Sequence, residues 1–326
     1  MQSFGDTARI GLVRNSAVSS AVEWIIKHQD ADGVWGGIQP PWIYSLMALY
    51  NEGYALDHSV MAKGLAALDD PRWRVDVGDA TWIQASTSPV WDTELTLLAL
   101  DDCALNERHE AEVEKALDWL LSQQVLRPGD WSVKCPNTEP GGWAFEYKNY
   151  YYPDTDDTAV ALIVLAPFRN DPKWKEKGIE EAIERGLNWL IGMQSKSGGW
   201  GAFDKDNDKQ ILTKIPFCDF GEALDPPSVD VTAHIIEAFG KLGVGKSHPA
   251  MVRALDYIKR EQEADGAWFG RWGVNYIYGT GAVLPALKAI GEDMTQSYIR
   301  KASDWLILHQ NEDGGPSRPP RRPPGR

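Results

Sequence analysis

The sequence is short of several things, and each shortage excludes a class of protein. Cysteine is scarce: Cys103, Cys135 and Cys218 are odd in number, widely spaced and contain no C-x-x-C pair. That argues against a disulfide framework and a thiolate zinc site, and fits a reducing compartment. No apolar run approaches the ~20 residues needed to cross a bilayer. The opening MQSFGDTARIGLV has neither the basic start nor the apolar stretch of a secretory signal. Positive charge is in deficit, with 33 Lys and Arg against 47 Asp and Glu and a net charge of −14. A nucleic-acid surface needs a basic patch, so nucleic acid is not an expected partner. Strand signals are few and short. What remains is an ordinary globular balance, 43% hydrophobic and 25% charged over 326 residues, enough for two domains.

Tryptophan is in excess, fifteen in all, and it repeats. Five segments carry a helical stretch with an aromatic near its end, then Gln, then a Gly-Trp turn. They read Trp24, Gln29, Gly33, Trp35; then Trp119, Gln124, Gly129, Trp131; then Trp189, Gln194, Gly199, Trp200. Tyr257, Gln262, Gly266 and Trp268 form the fourth, and Trp305, Gln310 and Gly315 the fifth, where Pro316 replaces the last Trp. Apolar residues such as Ala116, Leu117, Leu120 and Leu121 recur at helical spacing, which marks amphipathic helices. A Gly in the turn stops each helix as a left-handed cap would. The Gln amide can bond exposed backbone groups while the Trp covers the turn. Further helical stretches lie between the repeats, so the expected fold is all-α, an α-solenoid or a closed α/α barrel. Residues 316–326, PSRPPRRPPGR, cannot form a helix interior and read as a truncation scar.

The sharpest chemical feature is YYPDTDDTAVALIVL, where Asp154, Asp156 and Asp157 precede an apolar helix. One Asp there is an ordinary N-cap. Three exceed what capping needs, and crowded carboxylates cannot all ionise freely, so one tends to keep its proton. Mg²⁺ binding is the competing reading. A second acidic stretch, Asp204, Asp206 and Asp208, imitates an EF-hand but has Lys209 where the turn glycine is required and Ile215 where the terminal Glu is required, and reads as a solvated loop.

GGWAFEYKNYYYPDTDDTAV, IPFCDFGEALDPPSVDVTAH and WFGRWGVNYIYGTGAVLPAL, taken with the Gln–Trp repeats, resemble bacterial squalene–hopene cyclases, which are class II triterpene cyclases. The resemblance runs over residues 18–315. It implies two α/α barrels, toroids of paired helices, enclosing an apolar cavity in a monotopic homodimer on the cytoplasmic side of the bacterial inner membrane. Residues 1–88 then correspond to the end of the N-terminal barrel and 89–315 to a catalytic barrel incomplete at its C-terminus. Family members are about twice this length, so the chain resembles a central segment, expected to be poorly stable or inactive alone.

The implied reaction is protonation of squalene and carbocation cyclisation to hopene, with no cofactor and no metal. By resemblance Asp156 is the proton donor, His234 its partner, and Asp154 and Asp157 tune it. Asp230, four residues before His234, orients the reprotonating network with Tyr278. The resemblance makes Trp91, Phe145 and Trp272 cation-facing walls, with Phe203 where some members carry Tyr; ring faces attract a cation by ~0.5–2 kcal/mol each. Gln39 and Tyr44 resemble residues that hold water near the final cation, and Phe217 and Cys218 resemble a channel constriction. Other polyprenoids share the same acid core, so a cyclase of another polyprenoid stays open. A non-catalytic helical scaffold also stays open, but leaves the triple-Asp cluster unexplained. A zinc prenyltransferase would need an Asp/Cys/His set that the sequence does not supply.

Overall fold

In the computed structural model, which describes residues 8–147, 149–214 and 224–315, helices follow one another in pairs. The chain divides into two compact units, Met1–Pro89 with Phe145–Tyr151, and Val90–Ala144 with Tyr152–Arg326. The first holds helices α1 (Ala8–Lys27), α2 (Gln39–Asn51) and α3 (Ser59–Ala66) and an antiparallel hairpin of β1 (Arg74–Val77) and β2 (Ala80–Ile83). Its core is built on Trp35, Trp42, Leu46, Leu49, Met61 and Trp73.

The second unit contains α4 (Pro89–Asp102), α5 (Glu110–Ser122), α6 (Thr155–Leu165), the short α7 (Pro172–Glu176), α8 (Ile179–Met193), α9 (Val229–Lys241), α10 (Pro249–Arg260), α11 (Asn275–Ala289) and α12 (Ser297–Leu308). Helices α6, α9 and α11 form an inner row, and α8, α10 and α12 pack outside them in the same order. Composition explains the two roles. The α6 sequence has apolar residues on every side after its first turn, and every residue in it is buried. Outer helix α10 buries only a stripe, Ala250, Met251, Ala254, Leu255, Tyr257 and Ile258, with Arg253 and Lys259 outside it.

The Gln–Trp motifs are clamps that join these layers. Gln194 Nε2 donates to the carbonyls of Gly198 in its own turn (2.7 Å) and Ala250 in the first turn of α10 (2.8 Å). Gln29 does the same to Gly33 and Val60, and Gln262 to Gly266 and Tyr298. The turn Trp points back into the core, where Trp200 Nε1 donates to Leu190 O and Trp268 Nε1 to Ile258 O, both at 2.7 Å. Gly198 has φ +99°, and a Cβ there would lie 2.4 Å from Arg253 O on α10, so only glycine lets the turn dock.

Three expectations are corrected. In the second repeat Gln124 bonds Gly141 O and Ala182 O, and the clamping indole is Trp143, which donates to Leu120 O. Residues 125–140 loop out between Gln and turn, so the nearer Gly129–Trp131 pair is a decoy; Gly129 is extended at φ −119°. In the third and fifth repeats the bonded glycines are Gly198 and Gly314, one residue before those expected. The glycine is also not the helix cap: α8 ends at Gln194 itself, in an extended conformation (φ −59°, ψ 126°).

Replacing Gln194 by Ala strands two carbonyls and removes the acceptor of the Arg253 guanidinium. The expected loss is about 2–3 kcal/mol of unfolding free energy. The exposed Gln310, which holds Gly314 O, should lose under about 1 kcal/mol on the same change. Urea unfolding of the two variants checks the ordering.

Candidate active site

The acid cluster sits at the start of α6. Asp154 is the N-cap, in extended conformation, and its Oδ1 accepts the backbone N–H groups of Asp156 (3.0 Å) and Asp157 (2.8 Å). Capping therefore occupies one of the three carboxyls. Asp154 and Asp157 are each only 3% exposed, and Asp154 Oδ2 and Asp157 Oδ1 have no hydrogen-bond partner. Burial pushes both carboxyls up from the ordinary range, Asp157 strongly, with the charges of Asp154 and Glu94 adding to its rise. Asp156 differs from both. Its Oδ1 lies 2.6 Å from His234 Nδ1, and 13% of its side chain remains open. Burial alone would lower the His234 pKa, but the charge and hydrogen bond of Asp156, with Asp230 and Glu237 behind them, raise it overall.

The turn Trp of three clamps also ties the turn to an inner helix. The backbone N–H of Trp143 donates to Thr158 Oγ1 (2.9 Å), that of Trp200 to Thr232 (3.1 Å) and that of Trp268 to Thr280 (2.9 Å). Asp156, Asp230 and Tyr278 each stand two residues before that threonine, on α6, α9 and α11. Equivalent positions on adjacent inner helices thus deliver the candidate acid and its neighbours to the same end of the row. Trp91, two residues before Thr93 on α4, has the same place in the sequence register. The Tyr278 ring meets His234 edge-on at 6.1 Å, and burial raises its hydroxyl pKa, with Asp156 and Asp230 contributing. Asp230 is fully buried, and its Oδ2 accepts the Trp272 backbone N–H at 2.7 Å, so it anchors the loop that carries Trp272.

Among the aromatic residues, Phe203 and Trp272 meet edge to face at 6.0 Å and leave 37% and 52% of their surfaces open. Asp225, which the sequence reading passed over, positions the first of them. Its carboxylate accepts the N–H groups of Ala202 (3.1 Å), Phe203 (2.6 Å) and Asp204 (2.7 Å). Trp91 is half-buried on α4. Phe145, Gln39 and Tyr44 belong to the first unit. There Phe145 is half-buried, Tyr44 is 68% exposed, and the Gln39 amide donates to the carbonyls of Ile83 and Gln84. Phe217 and Cys218 lie outside the described residues. Asp204 and Asp206 are engaged inside their loop by Asn207 and by the Lys196 N–H. Among the described residues no group of three or more His, Cys, Asp or Glu is arranged to hold a metal ion.

Besides Asp225, the buried acids Asp30, Glu94 and Glu146 are not announced by any sequence motif. Glu146, in the first unit, is raised by burial and by the charge and hydrogen bond of the equally buried Asp30, which caps the Gly36 N–H at 2.7 Å.

Asp156→Asn removes the counter-charge of a buried imidazole. The His234 midpoint, followed by NMR titration, should fall, because burial then meets only the weaker charges of Asp230 and Glu237. A histidine pKa raised in the fold contributes stability below the unfolded value, lost as pH rises through the folded one. The variant's stability cost, about 3 kcal/mol, should therefore be largest on the acid side of that interval.

Comparison with known proteins places this geometry. The sequence profile of the squalene-hopene cyclase N-terminal domain matches residues 2–76, and that of the C-terminal domain residues 87–318. The chain is 50% identical over 282 residues to a squalene–hopene cyclase of Alicyclobacillus acidocaldarius, covering 85% of this chain and 43% of the relative. It is 40% identical over 317 residues to the Zymomonas mobilis squalene–hopene cyclase, covering 93% of this chain and 46% of the relative. The chain thus spans less than half the length of these two relatives. In fold it resembles the type II terpene cyclase MstE from Scytonema, solved with geranylgeranyl dihydroxybenzoate, at a TM-score of 0.50 and 18% identity over 92% of this chain and 65% of that one. The C-terminal-domain profile alone accounts for more than half of the residues, and the chain belongs to the squalene–hopene cyclase family.

Proposed function

We propose that this chain carries the proton-delivering half of a class II terpene cyclase that turns squalene into hopene. The observation that carries the reading is the asymmetry of the acid cluster. Of three adjacent carboxyls, two are sealed and raised by burial, while Asp156 alone pairs with an imidazole and keeps open surface.

Protonating an isolated alkene needs a strong acid held away from water. The Asp156 O–H bond breaks, its proton forms a C–H bond using the alkene π electrons, and the neighbouring carbon becomes the cation. The carboxylate left behind is stabilised by the His234 imidazolium 2.6 Å away, which makes the acid stronger. Asp157, which burial holds in its protonated form, adds no competing negative charge. Successive alkenes then attack the cation, and loss of a proton or capture of water ends the cascade. Phe203 and Trp272 offer exposed ring faces to positive charge without a nucleophilic atom that would trap it. Trp91, Phe145, Gln39, Tyr44, Phe217 and Cys218 keep the roles that the family resemblance implies.

Squalene has no polar group and dissolves in the bilayer rather than in water, so the reading places the protein on a membrane surface. No helix among the described residues is long and apolar enough to cross one. A monotopic homodimer at the cytoplasmic face of the bacterial inner membrane is the assembly we infer from the family.

Incubation with squalene in detergent, followed by gas chromatography–mass spectrometry, tests the function. It applies to this chain and to the product of the complete reading frame at its locus. Hopene that is lost by at least about 100-fold in Asp156→Asn supports the reading. Another cyclised product from a different polyprenoid keeps the acid and replaces the substrate. No cyclised product from either protein refutes it.

A further inference from the structure

Glu94 is a buried acid that no sequence motif announces. It lies on α4 in SPVWDTELTLLAL, on the stripe Val90, Glu94 and Leu97 that α4 buries. The inner helices share a register in which Trp91 matches Asp156, Asp230 and Tyr278. Three residues on, that register reads Glu94, Ala159, Ala233 and Gly281. Where three helices carry a small side chain, α4 carries a carboxyl. Glu94 is 0% exposed, and neither of its oxygens has a hydrogen-bond partner.

An ionised carboxylate cannot persist in such a place. With no hydrogen bond and no ion pair to repay its lost hydration, the group takes up a proton instead. The groups that bear on it are all acids of the same site. Asp154 and Asp156 act on Glu94, and Glu94 in turn acts on Asp157. His234 and Asp230 on α9 and Tyr278 on α11 complete the set around Asp156. Burial first, then the charges of Asp154 and Asp156, holds the Glu94 carboxyl well above its usual range.

We propose that Glu94 is a positioning residue of the proton-delivering site, a fourth carboxyl that works as the neutral acid and whose loss of a proton switches off Asp156. The inference rests on the cyclase reading. While Glu94 is neutral, the Asp156–His234 pair is free of a further negative neighbour. Once Glu94 ionises, its charge makes the Asp156 proton harder to release, and turnover falls. Glu94 itself gives no proton to the substrate.

Glu94→Gln keeps the shape and removes the titration. Two measurements read it. The first is the thermal midpoint against pH, which needs no catalysis. A carboxyl raised in the fold costs stability as pH climbs from its unfolded value toward its folded one. Glu94→Gln should therefore melt higher than the wild type near pH 8, with the gap closing near pH 4. The second is the pH profile of squalene turnover, normalised to each protein's own acid-side plateau. Its alkaline limb should move upward by about one pH unit or more in Glu94→Gln.

A Gln variant that melts lower than, or level with, the wild type at both pH values would overturn the neutral carboxyl. An unmoved alkaline limb would overturn its control of Asp156. Should the wild-type product of the complete reading frame turn over no squalene at any pH, the cyclase reading fails, and the thermal comparison still decides the state of Glu94. If Glu94→Gln folds poorly, Glu94→Met, which fills the same volume without a polar head, should show the same pH-dependent gain in midpoint, and a pH-independent loss would count against the proposal.

Discussion

A carboxyl group that water cannot reach must find a hydrogen bond, find a cation or keep its proton. The start of α6 and its surroundings use all three outcomes within one small volume. Asp154 spends one oxygen on the helix N-terminus, Asp156 faces an imidazole, Asp157 has only the Asp154 carboxyl beside it, and Glu94 has neither hydrogen bond nor cation. The differences between them come from their partners and from the small opening that Asp156 alone keeps. That division makes Asp156 the carboxyl able to leave as a stabilised anion. The chemistry proposed for the chain depends on this one hydrogen-bonded pair.

The scaffold supplies the positions by repetition. Gln124, Gln194 and Gln262 each fasten a turn to the first turn of the next outer helix, and Trp143, Trp200 and Trp268 each donate a backbone N–H to a threonine of an inner helix. A repeated unit carries equivalent residues to equivalent places. Asp156, Asp230 and Tyr278 therefore gather without any long-range coincidence in the sequence. A helix as thoroughly buried as α6 has no freedom to rotate its acid end toward solvent, so the site is held by the core rather than by loops.

Much of this was legible beforehand, for reasons that lie in particular residues. The five Gln–Trp segments announce paired helices because the spacing of a clamp is local. The cluster of Asp154, Asp156 and Asp157 and the D-V-T-A-H run are equally local, and they fall at the starts of α6 and α9. The second repeat was misread because residues 125–140 intervene and offer a nearer Gly-Trp pair; sequence distance could not reveal that Trp143 returns to Leu120. Glu94 was hidden by its neighbours Asp92 and Thr93, which make the start of α4 look solvated. The segments V-W-D-T, T-D-D-T, V-D-V-T and I-Y-G-T align α4 with the three inner helices and would have exposed it. Asp225 carried no pattern at all, since its role exists only once the turn at 202–204 folds over it.

The most direct test of proton-initiated cyclisation is to run squalene turnover in deuterium oxide and weigh the product. Asp156 exchanges its proton with solvent between turnovers, so each cyclised molecule should carry one deuterium bound to carbon, retained after washing with ordinary water. Product that forms with no carbon-bound deuterium would mean that the cascade starts by some route other than protonation of the alkene, and would contradict the account.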